Sequence, residues 1–324
     1  MLTPHVSVCI PAYEAEHHLA ATLTCVLADT SDNTEIVVLD NASTDGTAAL
    51  VRSMADDRVR LLSNDEKLSL PDNWNRVVKL SRGALVKIVC ADDLVHPAAT
   101  KLQAEILDAD QSVALVASRR HLIDDRGRLL AASTGLRGLV GRFDGPTVVS
   151  HVVRNGGNPV GESAAVMFRR RDFDAVGGFD GELVFPMDLD LWVKLLGHGD
   201  FIGMPETLAA FRASAGSLSS QRLRSQYEEQ LTLTRRLARD PKWHVSGWDR
   251  LMSHLGAPLA KARRELLFLA ARWSRREALH RLMGGPDTQW LQNLGQPQFL
   301  TPSRRHRGAA SSDRRLFPRG SKGS

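Results

Sequence analysis

Along the first third of the chain, short apolar runs alternate with longer stretches of helical spacing, and this alternation limits the fold more than any other feature. Val6-Ser7-Val8-Cys9-Ile10 reads as a strand stopped by Pro11, after which Leu19, Leu23, Val26 and Leu27 share one helical face. Glu35-Ile36-Val37-Val38-Leu39 makes a second strand that ends at Asp40. The loop Asn41-Ala42-Ser43-Thr44-Asp45-Gly46 is rich in turn and capping residues, and a helix begins at Thr47. Val59-Arg60-Leu61-Leu62 is a third strand. The spacing then predicts a helix from about Asn73 to Ser81, stopped at Gly83, and a fourth strand over Ala84–Cys90 that runs straight into Asp92-Asp93. Pro97 suits the first turn of the next helix. Apolar strands joined by helices bury themselves in a mainly parallel sheet covered on both faces, so the fold class is α/β with a central sheet flanked by helices.

Between about 130 and 165 the pattern is irregular, punctuated by Gly135, Gly138, Gly141 and Gly145. A short helix leads to a turn at Val176-Gly177-Gly178-Phe179-Asp180, and Pro186 to Gly197 reads as a helix. From 222 onward the chain is helical and basic, and beyond about 300 it is rich in Arg, Ser and Gly and expected to be disordered. The charge follows the same division. Residues 1–221 hold 21 Lys+Arg against 29 Asp+Glu, a net −8, whereas 222–324 hold 21 against 8, a net +13. An acidic body argues against nucleic acid as a partner. The basic region suits either a solvated surface or contact with an anionic lipid or polymer. The cysteines Cys9, Cys25 and Cys90 are odd in number and far apart, which fits a reducing compartment. Apolar stretches are broken by charge before the roughly 18 residues of a membrane span. With a strand almost at the N-terminus and no secretory signal read there, a cytoplasmic location is expected.

Three acidic positions carry chemistry. Open α/β sheets bind ligands at the carboxyl ends of their strands, where Asp40 and Asp92-Asp93 fall. Two adjacent carboxylates are costly to hold together without a cation, and hard oxygen ligands suit Mg²⁺ or Mn²⁺, which also binds phosphate oxygens. The alternative is that Asp92 and Asp93 are solvated residues leading into the next helix. Asp188 shares a helical face with Leu191, Trp192 and Leu195, whereas Asp190 points elsewhere, toward Lys194 at i+4. In the first helical turn the dipole favours the anion, while the apolar face desolvates it. Asp188 is then either an ionised carboxylate able to take a proton from a hydroxyl or, on this position alone, a helix-start residue that only caps the helix or complements its dipole.

Four ordered blocks resemble the inverting nucleotide-sugar glycosyltransferases of family 2, which have the A-type glycosyltransferase fold. They are Val6–Glu14, Val38–Thr47, Asn73-Trp74-Asn75 through Gly83 to Cys90-Ala91-Asp92-Asp93, and Gly177-Gly178-Phe179-Asp180 followed by Asp188–Trp192, within about residues 5–220. The resemblance implies a catalytic domain over 1–221, with a nucleotide-binding half (about 1–125) and an acceptor half (about 126–221); the composition beyond it gives a helical region (222–300) and a basic tail (301–324). It implies that Pro11, Ala12, Tyr13 and Glu14 hold the nucleotide base, that Asp40 hydrogen-bonds it, and that Asn75 and Asp92 contact the nucleotide. Asp93, with Asp92, is similar to the family's metal ligand, and Asp188 matches its general base. Glu162, Trp192 and Arg212 fall among acceptor or phosphate contacts, Arg212 as a fixed cation for the diphosphate.

The implied reaction is metal-dependent inverting transfer from a nucleotide-sugar donor, a UDP-sugar first among candidates, to a hydroxyl of a glycan or lipid-linked acceptor, in cell-surface polysaccharide or glycoconjugate synthesis. Relatives usually carry a further Asp where this chain has Cys90, an acidic residue at Met187, and a His at Ser214. On those departures rests the alternative of a nucleotide-sugar-binding protein that has lost catalysis. The basic segment 258–283 either lies in a membrane interface as an amphipathic helix, giving peripheral membrane contact, or packs Leu266, Leu269 and Trp273 against the body; packing is slightly favoured.

Overall fold

The computed structural model describes residues 3–28, 33–213, 223–273 and 290–291. At its centre lies β1 (Val6–Ala12), in which every residue is buried. It pairs in parallel with β2 (Thr34–Asp40) on one side and β4 (Leu85–Ile88) on the other, and β2 pairs in parallel with β3 (Val59–Ser63). Pro11 does not stop β1. Cys9 faces β4, and the amide of Val89, just past that strand, donates to the Cys9 carbonyl, so Pro11 two residues on faces the same side after that ladder has ended. Its missing N–H costs no ladder bond there. Helices α1 (Leu19–Leu27), α2 (Thr47–Ser53) and α3 (Leu70–Leu80) make the connections. Helix α3 begins three residues before its expected start because Ser69 caps it and Pro71 fits its first turn.

Beyond β4 the sheet becomes mixed. A two-residue strand, β5 (Leu94–Val95), precedes α4 (Ala99–Ala109) and delays that helix past Pro97. After β6 (Val113–Ile123), β7 (Leu129–Thr134) and β8 (Gly141–Phe143) comes α5 (Gly145–Asn155), a helix inside the stretch read as irregular. Its valines suggest a strand, but Asp144 caps its start and Gly156, at φ 62°, ends it. A 3₁₀ turn (Ser163–Ala165) leads into β9 (Val166–Arg169), which runs antiparallel between β4 and β6. Then follow α6 (Arg170–Val176), α7 (Met187–Leu195) and β10 (Asp200–Arg212), the last a 13-residue strand whose alternation Pro205 and a bulge near Met204 conceal. The order across the sheet is β3-β2-β1-β4-β9-β6-β10-β5.

Alternate strand residues feed two cores. Cys9, Val37 and Leu39 join Trp74, the α5 valines and Trp192 on one face; Val8, Ile10, Ile36 and Val38 join Leu19 and Leu23 on the other. Helices α8 (Leu223–Arg239) and α9 (Gly247–Trp273) cover α5. Leu266 does not pack on the body: it is 66% exposed, while the side chains of Leu269 and Trp273 lie outside the described residues, as do Ser214 and the 301–324 tail. Trp290 returns to the second core, its ring 5.5 Å from His96 and 6.1 Å from His121.

At the end of α5, Gly156 packs tightly against α9: a Cβ there would lie 2.4 Å from the Ala257 Cα. Gly156→Ala adds that clash to a left-handed backbone, and should destabilise the fold by about 2 kcal/mol or more, read as a lower urea midpoint with unchanged m. A midpoint equal to wild type would show that α9 is not seated as described.

Candidate active site

The carboxyl ends of β1 and β2 carry two loops that are bonded to each other. The Glu14 carboxylate accepts from the Thr44 amide at 2.8 Å and its hydroxyl at 3.0 Å, while the Glu14 amide donates to Ser43 Oγ. The Ala15 amide donates to Thr47 Oγ1, and the Gly46 amide to Glu16. Asp40, buried at the end of β2, accepts from the Ser43 amide at 3.2 Å. Beneath them Asn64 donates to both Asn41 and Asn73, a buried amide cluster that the sequence reading did not single out. Tyr13 stands 44% exposed, with the Lys67 ammonium 3.7 Å from its ring centroid. A ring polarised by a cation on the rim of a cleft can present its face to a heterocycle.

At the end of β4, Cys90, Asp92 and Asp93 each bring a ligand atom within 4.8 Å of the others. Asp93 is 1% exposed; one oxygen accepts from the Arg212 amide at 2.9 Å, and the other is buried without a partner. Burial first, then the charge of Asp92, pushes the Asp93 carboxyl well above the usual carboxylate range, against the opposing cations of Arg212 and Arg120. Asp92 is raised too, mainly by burial. An orphaned carboxylate oxygen beside a second carboxylate is costly unless a cation completes it. Asp92 and Asp93 thus fit a hard divalent cation.

Asp188 opens α7 and is partly buried. Its carboxylate accepts from the Leu189 amide at 2.7 Å and from Asn158 Nδ2 at 3.3 Å. Asp190, as its position implies, pairs with Lys194 at 2.6 Å. The segment 158–163 links Asp188 to the acidic pair. Asn158 also bonds both backbone groups of Gly161, and Ser163 Oγ lies 3.7 Å from Cys90 Sγ. The two ends share one electrostatic environment: burial, Asp93, Asp92 and Asp188 all push the Cys90 thiol up. Glu162, in the same segment, is bound by the buried Arg120 guanidinium at 3.0 Å.

Three residues expected to contact a ligand make hydrogen bonds within the protein. Trp192 is fully buried and gives its indole N–H to the Gly161 carbonyl, so it supports the 158–163 segment and touches no acceptor. Asn75 donates to and accepts from the Phe179 backbone at 2.9 and 2.8 Å, so its amide fixes the Gly177-Gly178 turn. Arg212, 4% exposed, donates to the carbonyls of Asp92, Asp124 and Asp125. Its guanidinium braces the acidic turn, where the sequence suggested a diphosphate contact. Met187, standing where relatives carry an acid, is a core residue at 3% exposure.

The raised Asp93 means that the folded chain binds a proton more tightly than the unfolded one, so this group's contribution to stability grows as pH falls through its folded pKa. Asp93→Asn removes the penalised charge. In metal-free protein at neutral pH its melting temperature should rise by a few degrees, the shift expected for about 1 kcal/mol in a domain of this size. The gain should shrink in acid, where wild-type Asp93 is also neutral. Melts across pH test this, and a variant less stable than wild type at neutral pH contradicts it.

Residues 7–177 match the family model described as "Glycosyl transferase family 2". The chain is 33% identical over 220 residues to the uncharacterized protein MT1568 of Mycobacterium tuberculosis, covering 66% of this chain and 69% of that one. It is 25% identical over 224 residues, 68% of this chain and 81% of the relative, to the UDP-Glc:alpha-D-GlcNAc-diphosphoundecaprenol beta-1,3-glucosyltransferase WfgD of Escherichia coli. Among solved structures it is similar to the mannosyltransferase PcManGT from Pyrobaculum calidifontis, determined with GDP-Man and Mn²⁺: TM-score 0.56, 19% identity, 93% of this chain and 86% of that one. That likeness shows the shared fold. The chain belongs to glycosyl transferase family 2 and is a glycosyltransferase with the mixed α/β architecture of that family.

Proposed function

We propose that the enzyme transfers a sugar from a nucleoside-diphosphate sugar, a UDP-sugar in the first place, to a hydroxyl of a glycan or lipid-linked acceptor, with inversion at the anomeric carbon. The pathway would be cell-surface polysaccharide or glycoconjugate synthesis, with the enzyme in the cytoplasm at the inner face of a membrane. One observation carries this reading: the 158–163 segment touches both ends of the site, Asn158 donating to the Asp188 carboxylate and Ser163 Oγ lying 3.7 Å from Cys90 Sγ, whose ligand atom is within 4.8 Å of those of Asp92 and Asp93. The known relative whose name gives UDP-Glc as donor and a diphosphoundecaprenol-linked sugar as acceptor supports the donor class and the lipid-linked option.

In this reading Tyr13, with Pro11 and Ala12, offers a face to the base, and Asp40 accepts from it. Glu14 acts indirectly, holding the loop that carries Thr44. Asp92 and Asp93 would hold Mg²⁺ or Mn²⁺, which when bound neutralises charge building on the departing diphosphate. Asp188 accepts the proton of the acceptor hydroxyl as its oxygen forms the new bond to the anomeric carbon. The bond from that carbon to the diphosphate oxygen breaks with its electron pair, passing through oxocarbenium character at the sugar. Asn158 orients the Asp188 carboxylate. A single carboxylate opposite the leaving group gives inversion, and double displacement would need a second one beneath the ring. Glu162, tied to Arg120, stands on the acceptor side.

Asp188→Asn should lower kcat by about a thousandfold while leaving nucleotide affinity unchanged. Near-normal turnover would remove Asp188 from the chemistry. By titration calorimetry, Asp93→Ala should weaken nucleoside-diphosphate binding in Mn²⁺ and leave the metal-free affinity unaltered; equal affinities in Mn²⁺ would contradict the metal assignment. A thermal-shift screen of nucleoside diphosphates with and without Mn²⁺ identifies the base, and no stabilisation by any of them would overturn the donor class.

A further inference from the structure

Helix α9 is apolar on the side turned away from the protein. Trp248, Leu251, Leu255, Leu259 and Leu266 are 63, 59, 61, 68 and 66% exposed. At about 100° per residue these five fall, with Pro258 and Ala262, in one arc about 100° wide. The opposite face is the one seated on α5, where Asp249 and Ala257 are buried and Gly156 meets Ala257. The exposed leucines are therefore not part of the α5 contact. From Trp248 to Leu266 the stripe is about 27 Å long, far more than scattered surface apolar residues explain.

Charge decides what can cover it. Exposed Arg250, His254 and Lys261 fall beside one edge of the arc. Of the two acids on α9, Asp249 is buried against Arg154, and Glu265 lies 3.9 Å from Lys261. A second copy of the chain would set two regions of net +13 face to face. Residues 274–324, with ten Lys+Arg against three Asp+Glu, carry the same sign as the rim. A lipid surface offers apolar depth beneath a layer of negative charge, and so answers both the stripe and its basic edge. No described helix is long and apolar enough to cross a membrane, so α9 would lie in the plane.

We propose that α9 docks the enzyme on an anionic bilayer surface, with Trp248, Leu251, Leu255, Leu259 and Leu266 immersed among the upper acyl chains and Arg250 and Lys261 reaching the headgroups. The proposal stands independently of the transfer chemistry, since it needs only the outer face of α9.

The full chain is sedimented with phosphatidylcholine vesicles, with and without phosphatidylglycerol. Wild type should pellet with the anionic vesicles, less as salt rises, and stay in the supernatant with the neutral ones. The triple variant Leu251→Ser, Leu255→Ser, Leu259→Ser should partition about tenfold or more weakly, at unchanged melting temperature and nucleotide affinity. Arg250→Glu with Lys261→Glu should weaken binding through charge alone. Wild type that never pellets, that pellets equally with neutral vesicles, or that is matched by the triple variant overturns the proposal. A concentration-dependent dimer abolished by the triple variant would assign the stripe to a second copy and overturn it as well.

Discussion

Two carboxylates, one of them almost wholly buried, stand side by side at the end of β4, and most of the site is arranged around keeping them there. Removing a carboxylate from water is unfavourable, and a second one adjacent adds repulsion. The fold offsets this from the far end of the sheet. Arg212, the last residue of β10, gives its amide to Asp93 and its guanidinium to the carbonyls of Asp92, Asp124 and Asp125. Arg120 of β6 adds a second cation. Neither arginine is near the acidic pair in sequence, so the pair is tolerable only once β6 and β10 have joined the sheet. Folding of the second half therefore completes a site begun by the first.

The two halves meet again at the 158–163 segment. Its backbone is held by Asn158, by the Trp192 indole and by Arg120 acting on Glu162. Trp192 and Asn75, both read from the sequence as ligand contacts, support this segment and the Gly177-Gly178 turn. Full burial is the deciding fact for Trp192: a residue with no accessible surface cannot meet a ligand, but it can fix the carbonyl that positions one that does. In the proposed mechanism the chemistry falls to a few carboxylates whose supports are buried and hydrogen-bonded, so little reorganisation would be required when charge moves.

The parallel half of the sheet was legible because each strand there is a short, mostly apolar run closed by a turn or capping residue, and strand ends determine where Asp40, Asp92 and Asp93 lie. Asp188 stands out in the sequence for a different reason: Lys194 accounts for Asp190, as their ion pair bears out, and offers no such account of Asp188. The antiparallel half was obscured by its own devices. β10 is interrupted by Pro205 and a bulge, β9 is four residues long, and α5 is built of valines whose strand preference its caps override. The roles of Arg212, Asn75 and Trp192 were illegible in principle. A sequence states which groups a side chain carries, but only the fold decides whether backbone or ligand uses them.

Cys90 follows from the same electrostatics. The family resemblance leads one to expect a further acid here, and a third carboxylate would stand about where the Cys90 thiol does, within 4.8 Å of two others already raised by burial. A thiol there is neutral, and burial together with Asp93, Asp92 and Asp188 keeps it so. It also makes a weak contact with Ser163 at 3.7 Å, joining the acidic turn to the segment that reaches Asp188. The substitution lowers the repulsion stored in the cleft while leaving the Asp92-Asp93 pair intact for a cation. The exchange of acid for thiol at Cys90 is thus compatible with an active transferase: the position next to the pair is neutralised, and the pair itself is retained.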